Sequence, residues 1–355
     1  MNRLCYSSYG NLEAVINFTG HNESSKRSLV HLYQEHTTGK WHKCDVVSYK
    51  PFSGGSIIQN STKRQQDQVH GDFEVLVLEE NGLVQQYTRD NTIPVDSGEY
   101  AWKLSATVNG ERHQQYGDIV ACDAAPIYQS NIPIDGSEFY DASTLETTIL
   151  TSSGTVLHYR CPQTNGDWEA VCHRWELTGG IAFNATGPAC LYQRCGNELN
   201  ALVPMPGCIA EYSFKGGVWN VTNIIKEASG PASIFNLSPE EPSLIFAIVR
   251  CQDGFQPRSS TGKSPSWMAD PITLPLALRI PREDPRYKEC KGNPMALVSR
   301  FPDPKNCWHM DAIVFHPCGT EKQDRWMVLH WNFDGDEDGW VVSGVVLDDI
   351  EKAPL

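Results

Sequence analysis

Six short stretches decide the reading of this chain: Leu12-Glu-Ala-Val-Ile16, Phe73-Glu-Val-Leu-Val77, Leu145-Glu-Thr-Thr-Ile149, Leu199-Asn-Ala-Leu-Val203, Ile245-Phe-Ala-Ile-Val249 and Met310-Asp-Ala-Ile-Val314. Their starts are 61, 72, 54, 46 and 65 residues apart. Each is a brief run of β-branched or large apolar residues, as expected of a strand buried on both faces. A weak repeat at this spacing marks a propeller or solenoid, and six copies spread over the whole chain point to a closed ring.

The flanking sequence repeats as well. Before most copies stands a strand ending in a small or amide side chain: Ile57-Ile-Gln59, Ile127-Tyr-Gln129, Leu191-Tyr-Gln193, Ile234-Phe-Asn236, and Leu4-Cys-Tyr-Ser7 for the first. Downstream comes a third strand, Val30–Tyr33, Val84–Tyr87, Val156–Tyr159, Ile209–Tyr212 and Val328–Trp331. The 119 residues between Tyr212 and Trp331 imply one diverged copy. A fourth strand opens on Trp41, Trp102, Trp168, Trp219 and Trp340, and Asn/Gly turns separate the strands as hairpins require. The expected fold is therefore all-β, a six-bladed β-propeller of four-stranded antiparallel blades. It forms a single domain over residues 1–355, with approximate blades 1–52, 53–123, 124–186, 187–228, 229–290 and 291–355. Composition agrees, because 28 glycines and 22 prolines supply turns and no helical periodicity persists beyond Asn223–Ala228. The least regular stretch, Cys251–Lys288, is expected to interrupt the fifth blade as a loop or lid.

Twelve cysteines, an even number without a Cys-x-x-Cys pair, suggest disulfides rather than zinc or redox chemistry, with Cys161–Cys172 and Cys195–Cys208 placed to bridge hairpins. Six sequons stand at Asn17, Asn22, Asn60, Asn184, Asn220 and Asn236. Together these favour a secreted or lumenal glycoprotein. Met1–Cys5 is not followed by an apolar core, which leaves either a removed leader or a cytosolic protein with free thiols. No apolar run is long enough to span a membrane. A net charge of −14 argues against nucleic acid, since no basic stripe is available to displace counterions from phosphates.

Three constellations carry chemistry. Asp334, Asp336 and Asp338, in Asp334-Gly-Asp-Glu-Asp-Gly339, match the first half of a calcium loop. Val345 at the twelfth position excludes an EF-hand, and calcium would serve structure; the alternative is a solvated hairpin tip. Glu13, Glu74, Glu146 and Asp311, with Asn200, share one strand position. They are expected to converge on the central channel, either as mutually raised acids and bases or as carboxylates that stitch blades together. Tyr33, Tyr87, Tyr159, Tyr212 and Trp331, with Arg160 and Glu211 beside them, form an aromatic row suited to stacking on sugar rings or to packing between blades. No Gly-x-Ser-x-Gly elbow, paired-histidine metal motif or phosphate loop occurs, so no organic cofactor is expected.

The second blade, Gly54-Gly-Ser-Ile-Ile-Gln59 with Gly71-Asp-Phe-Glu-Val-Leu-Val77 and Asn81-Gly-Leu-Val-Gln-Gln-Tyr-Thr-Arg-Asp90, resembles the repeats of bacterial and fungal propeller lectins. Gly187-Pro-Ala-Cys-Leu-Tyr-Gln193 and Gly230-Pro-Ala-Ser-Ile-Phe-Asn236 echo the same blade opening. The resemblance implies a glycan or other small-molecule ligand held by an arginine, a glutamate and aromatics from adjacent blades. Tyr159-Arg160 and Glu211-Tyr212 match that set, which is not repeated around the ring. Two functions follow: a secreted lectin-like module, or a cofactor-independent cyclase or isomerase, pericyclase-type, using one asymmetric pocket of a decayed propeller.

Overall fold

The computed structural model describes residues 4–19, 27–60, 71–91, 102–123, 126–130, 144–162, 174–194, 198–236, 245–251, 254–261, 264–269, 294–299, 310–317, 326–333 and 340–350. These contain strands and turns, and no helix. The first sheet is β1 (Leu4–Tyr6), β2 (Leu12–Thr19), β3 (Arg27–Gln34) and β4 (Trp41–Ser48). The second is β5 (Pro51–Gln59), β6 (Phe73–Glu79), β7 (Val84–Arg89) and β8 (Lys103–Thr107). The third is β9 (Ile127–Ser130), β10 (Thr144–Leu150), β11 (Val156–Pro162) and β12 (Glu176–Ala182). The fourth is β13 (Cys190–Arg194), β14 (Glu198–Met205), β15 (Cys208–Lys215) and β16 (Val218–Lys226). The fifth is β17 (Ala228–Asn236), β18 (Ile245–Cys251), β19 (Gly254–Thr261) and β20 (Ser264–Ala269), and the sixth β21 (Pro294–Ser299), β22 (Met310–Pro317), β23 (Trp326–Phe333) and β24 (Trp340–Ile350).

All six sheets are antiparallel meanders of four strands in sequence order. The first strand of each sheet lies against the first strand of the next, and β21 returns to β1. That is a β-propeller, with β1, β5, β9, β13, β17 and β21 around its axis. The six repeated apolar stretches are the second strands. They are buried on both faces because each sheet is sandwiched between two others; Leu145 to Leu150 is an example, with five of its six side chains wholly inaccessible.

The core is the set of gaps between sheets. Val15, Leu29 and Val47 of the first pack on Ile57, Phe73, Val75, Val77 and Trp102 of the second. Leu76, Leu78 and Val84 of the second pack on Ile127, Ile149, Leu157 and Trp175 of the third. The ring closes where Ile313 and Val346 meet Leu4, Leu12, Ala14 and Ile16. Among the described residues no strand is exchanged between the first and last sheets, and Ile313 and Val346 pack across the closure.

Four expectations change. Asn223–Ala228 is strand, interrupted by a turn at Glu227 with φ 59°. Of the stretch expected to interrupt the fifth blade, residues 254–261 and 264–269 supply its β19–β20 hairpin, with a register shift between Ser259 and Thr261 and with Arg258 opposite Ala247 in place of an aromatic residue, while residues 270–288 lie outside the described residues. The tryptophan preceding the fourth strand of the third blade is Trp175, two residues from the β12 pairing at Leu177, whereas Trp168 lies outside the described residues. Cys208 carries a free thiol at the start of β15, so the Cys195–Cys208 bridge is not formed; Cys172 and Cys195 lie outside the described residues.

Candidate ligand sites at the blade junctions

The register places the polar row of the second strands at strictly equivalent positions. Glu13 pairs with Tyr33, Glu74 with Thr88, Glu146 with Arg160, Asn200 with Ser213, Phe246 with Ser259 and Asp311 with Asn332. The carboxylates do not open onto the channel. They stand one strand outside it, at most 2% exposed, and bond to polar groups in the gap facing the next blade. Tyr87, Tyr159, Tyr212 and Trp331 are also equivalent to one another, opposite Val75, Thr147, Ala201 and Ala312. Tyr33 is not: Leu32 occupies that position, opposite Ala14. With a side-chain period of two, this one-residue offset puts Tyr33 on the other face, beside Glu13 and stacked on His42 with ring centres 5.1 Å apart.

The same alternation splits the expected set. Tyr159 packs towards the second blade and Arg160 projects towards the fourth. Tyr212 packs towards the third blade, while Glu211 reaches the fifth. Tyr87 faces the first blade and donates to Glu79 at 3.0 Å. Asp334, Asp336 and Asp338 lie outside the described residues, and no group of three or more potential metal ligands occurs among those described.

What meets at the junctions is a different set, built three times. Between the third and fourth blades, Glu146 accepts from Arg160 Nε and Nη2 at 3.0 and 2.9 Å, from Ser130 Oγ at 2.8 Å, and bonds His158 Nε2 at 2.8 Å. The fourth blade covers them with Phe214, 5.3 Å from the Arg160 guanidinium, and with Trp219, edge-on to His158 at 5.1 Å. Burial pushes the Glu146 carboxyl up, but the His158 hydrogen bond and the neighbouring positive charge outweigh it and hold the group below its usual range.

Between the fourth and fifth blades, Glu211 accepts from Tyr192 Oη, from Arg194 Nη2 at 2.7 Å and from Trp267 Nε1 at 2.9 Å. Burial and the Glu211 charge keep the Tyr192 phenol protonated far above its ordinary range, which suits its part as donor. Between the first and second blades, Arg89 Nη1 lies 2.9 Å from His31 Nδ1, and His31 Nε2 lies 2.8 Å from Glu13. Arginine can only donate, so Nδ1 accepts and the ring proton sits on Nε2, aimed at the carboxylate. Phe73 and Trp102 of the second blade flank the pair, Phe73 4.4 Å from the guanidinium carbon. Burial depresses the His31 pKa despite the Glu13 contact, consistent with a neutral ring.

The sequence reading missed His31, Arg89, Arg194, Tyr192 and Trp267. One signal was available: His31 and His158 both sit two positions from the partner of the repeated glutamate, opposite Val15 and Thr148. Arg89 and Arg194 give no such signal, because each reaches its junction from a different strand.

No protein-family model matches this chain, and no curated protein matches it in sequence. Among solved structures, a mutant of the Aleuria aurantia lectin in complex with Fucα1-6GlcNAc aligns with a TM-score of 0.54 at 11% identity, covering 98% of this chain and 97% of the lectin. The α-L-arabinofuranosidase of Fusarium graminearum in complex with an iminosugar inhibitor aligns with a TM-score of 0.50 at 8% identity, over 88% of this chain and 87% of the enzyme. At such identities the likeness is one of fold, and the fold it supports is the β-propeller.

Proposed function

We propose that the protein is a carbohydrate-binding β-propeller whose sugar sites are the mouths of its blade junctions. The observation that carries this reading is the threefold recurrence of a carboxylate, a guanidinium and aromatic rings from the following blade, assembled from different strands each time. A planar guanidinium offers forked donors to neighbouring sugar hydroxyls, a carboxylate accepts from them, and an indole or phenyl face covers the apolar side of the ring. Arg160 is placed for this: Nε and Nη2 are committed to Glu146, Nη1 makes no bond among the described residues, and 16% of the side chain remains exposed. The lectin neighbour of the same fold was solved with a fucosylated disaccharide, which makes methyl α-L-fucoside the first probe.

Glycan-array screening followed by calorimetry tests the reading. Arg160→Lys keeps the charge but loses the fork, and should weaken sugar binding by about tenfold, the worth of one charge-assisted hydrogen bond. Absence of binding to every glycan on the array, or an unaltered affinity in Arg160→Lys, defeats it.

A further inference from the structure

The second and third blades meet differently from the three junctions described above. After β8 the chain makes an excursion over residues 108–121 before returning to the ring. Asn109 pins its base, accepting from Val84 N at 2.8 Å and donating to Gly82 O and Ile119 O at 3.0 and 2.7 Å. Gly82 takes φ +79°, a conformation that favours glycine, and its carbonyl also accepts from Ala121 N. His113 and Gly117 exchange backbone hydrogen bonds at the tip, with the Tyr116 ring 5.3 Å from the His113 ring and tilted by 31° to it.

This excursion walls a cavity of about 370 Å³ against Arg174, Trp175 and the start of β12. That volume is at the small end of ligand-binding cavities, which run roughly 300–1,000 Å³, and suits one sugar ring. Its floor is rich in donors. Tyr159 lines it, is only 4% exposed, and its hydroxyl has no hydrogen-bond partner among the described residues. Burial alone pushes that phenol up, so it stays protonated. His113 Nδ1 accepts from Gln115 N at 3.2 Å, which leaves the proton of the neutral ring on Nε2 as a donor. Trp175 supplies a flat wall and is fixed by its Nε1 bond to Gln86 at 2.8 Å. At the rim, Arg174 is exposed and makes neither an ion pair nor a hydrogen bond among the described residues, and Arg112 stands 3.7 Å from Asp118. The carboxylates of Glu111 and Glu176 are also exposed at the rim, where water screens them and the two guanidinium groups alike, so the charge preference is modest.

A phenol hydroxyl open to the cavity with no acceptor among the described residues, a donor imidazole, and a guanidinium without an ion pair to the described residues together call for an acceptor-rich ligand. We propose that this cavity binds a monosaccharide carrying one anionic group, a sugar acid or a sugar phosphate, with Arg174 on the charge, Tyr159 and His113 on ring oxygens, and Trp175 against the ring face. The site is separate from the Arg160 and Arg194 junctions and does not depend on them.

Titration calorimetry at low salt with methyl β-D-glucuronide, α-D-glucose 1-phosphate and neutral methyl β-D-glucoside tests it. At least one anionic sugar should bind about three- to fivefold more tightly than the neutral one, as an exposed ion pair allows, and which one prevails identifies the anion. Arg174→Ala, at an exposed position without an ion pair to the described residues, should fold normally and lose about three- to fivefold; Tyr159→Phe, which breaks no bond to the described residues, should lose several-fold. Equal affinity for the neutral glucoside, no binding by any of the three sugars, or an unchanged affinity in Arg174→Ala overturns the proposal. Because these residues belong to another junction, failure of fucoside binding would leave this outcome untouched, and the reverse holds as well.

Discussion

Removing the carboxylate of Glu146 should be among the most damaging single changes in this ring. The group is inaccessible to solvent and serves three side chains, Ser130, His158 and Arg160. In Glu146→Ala, Arg160 keeps its charge with only 16% of its side chain exposed, and the fully buried His158 loses its acceptor. Breaking a buried ion pair from one side costs about 3–5 kcal/mol. Unfolding entropy of about 2.1 cal/mol/K per residue over the chain makes each kcal/mol worth about 1.3 °C, so the melting temperature should fall by about 4–7 °C. Glu198→Ala is the control: its pair with Lys215 spans 3.5 Å but is exposed at both ends, and its loss should change stability by less than about 1 kcal/mol.

Acid separates the charge from the packing. The folded Glu146 pKa lies below the reference value of 4.5, so its stabilisation is complete above 4.5 and disappears as pH falls through the folded value. The gap between wild type and Glu146→Ala, followed by scanning calorimetry, should therefore narrow below 4.5. A loss under about 1 °C at neutral pH, smaller than a single kcal/mol by the same conversion, or a gap that widens in acid, would refute the account of this junction.

Two further outcomes follow. His31 faces Glu13, Arg89 and Asp45, and its pKa is depressed from 6.5, so the unfolded chain binds the proton that the folded one excludes. Stability should fall as pH drops below 6.5, and His31→Gln should flatten the melting temperature between pH 7.5 and 5; a wild type that gains stability in that interval contradicts a neutral buried ring. Asn184 and Asn220 are exposed with exposed threonines two residues on, whereas Asn17 is 6% and Asn60 1% exposed, the latter bonded to Gln129. Protein secreted from a glycosylating host should carry glycans at 184 and 220 by mass spectrometry, and a folded fraction occupied at 17 or 60 would contradict the burial.

The blades themselves were legible because their signal is local. A second strand buried on both faces must be apolar throughout, so Leu12–Ile16 and its five relatives show as repeats even where little else survives. The polar row on those strands was equally visible, and its register holds in five sheets, with Phe246 at the equivalent place in the fifth. The third strand of the fifth blade escaped recognition for the converse reason: Arg258 stands in place of the expected aromatic residue and Phe255 in place of the β-branched one, yet the ladder between β18 and β19 still forms. Backbone pairing tolerates that change, so topology outlasts side-chain pattern.

The sites were legible only in part. Sequence named Glu146, Arg160, Glu211 and Tyr159 but joined Arg160 to Glu211, whereas the structure bonds Arg160 to Glu146 and Glu211 to Arg194. An uninterrupted apolar strand carries no alternation to say which face is which, so neighbours such as Tyr159 and Arg160 cannot be assigned to opposite junctions from their order alone. The amino-acid sequence by itself determined that strands form, how many sheets repeat, and that carboxylates sit at one register. Which side chains meet was decided by the tertiary structure, because those contacts cross from one sheet to the next, where the angle between blades and not the spacing along the chain sets the distance.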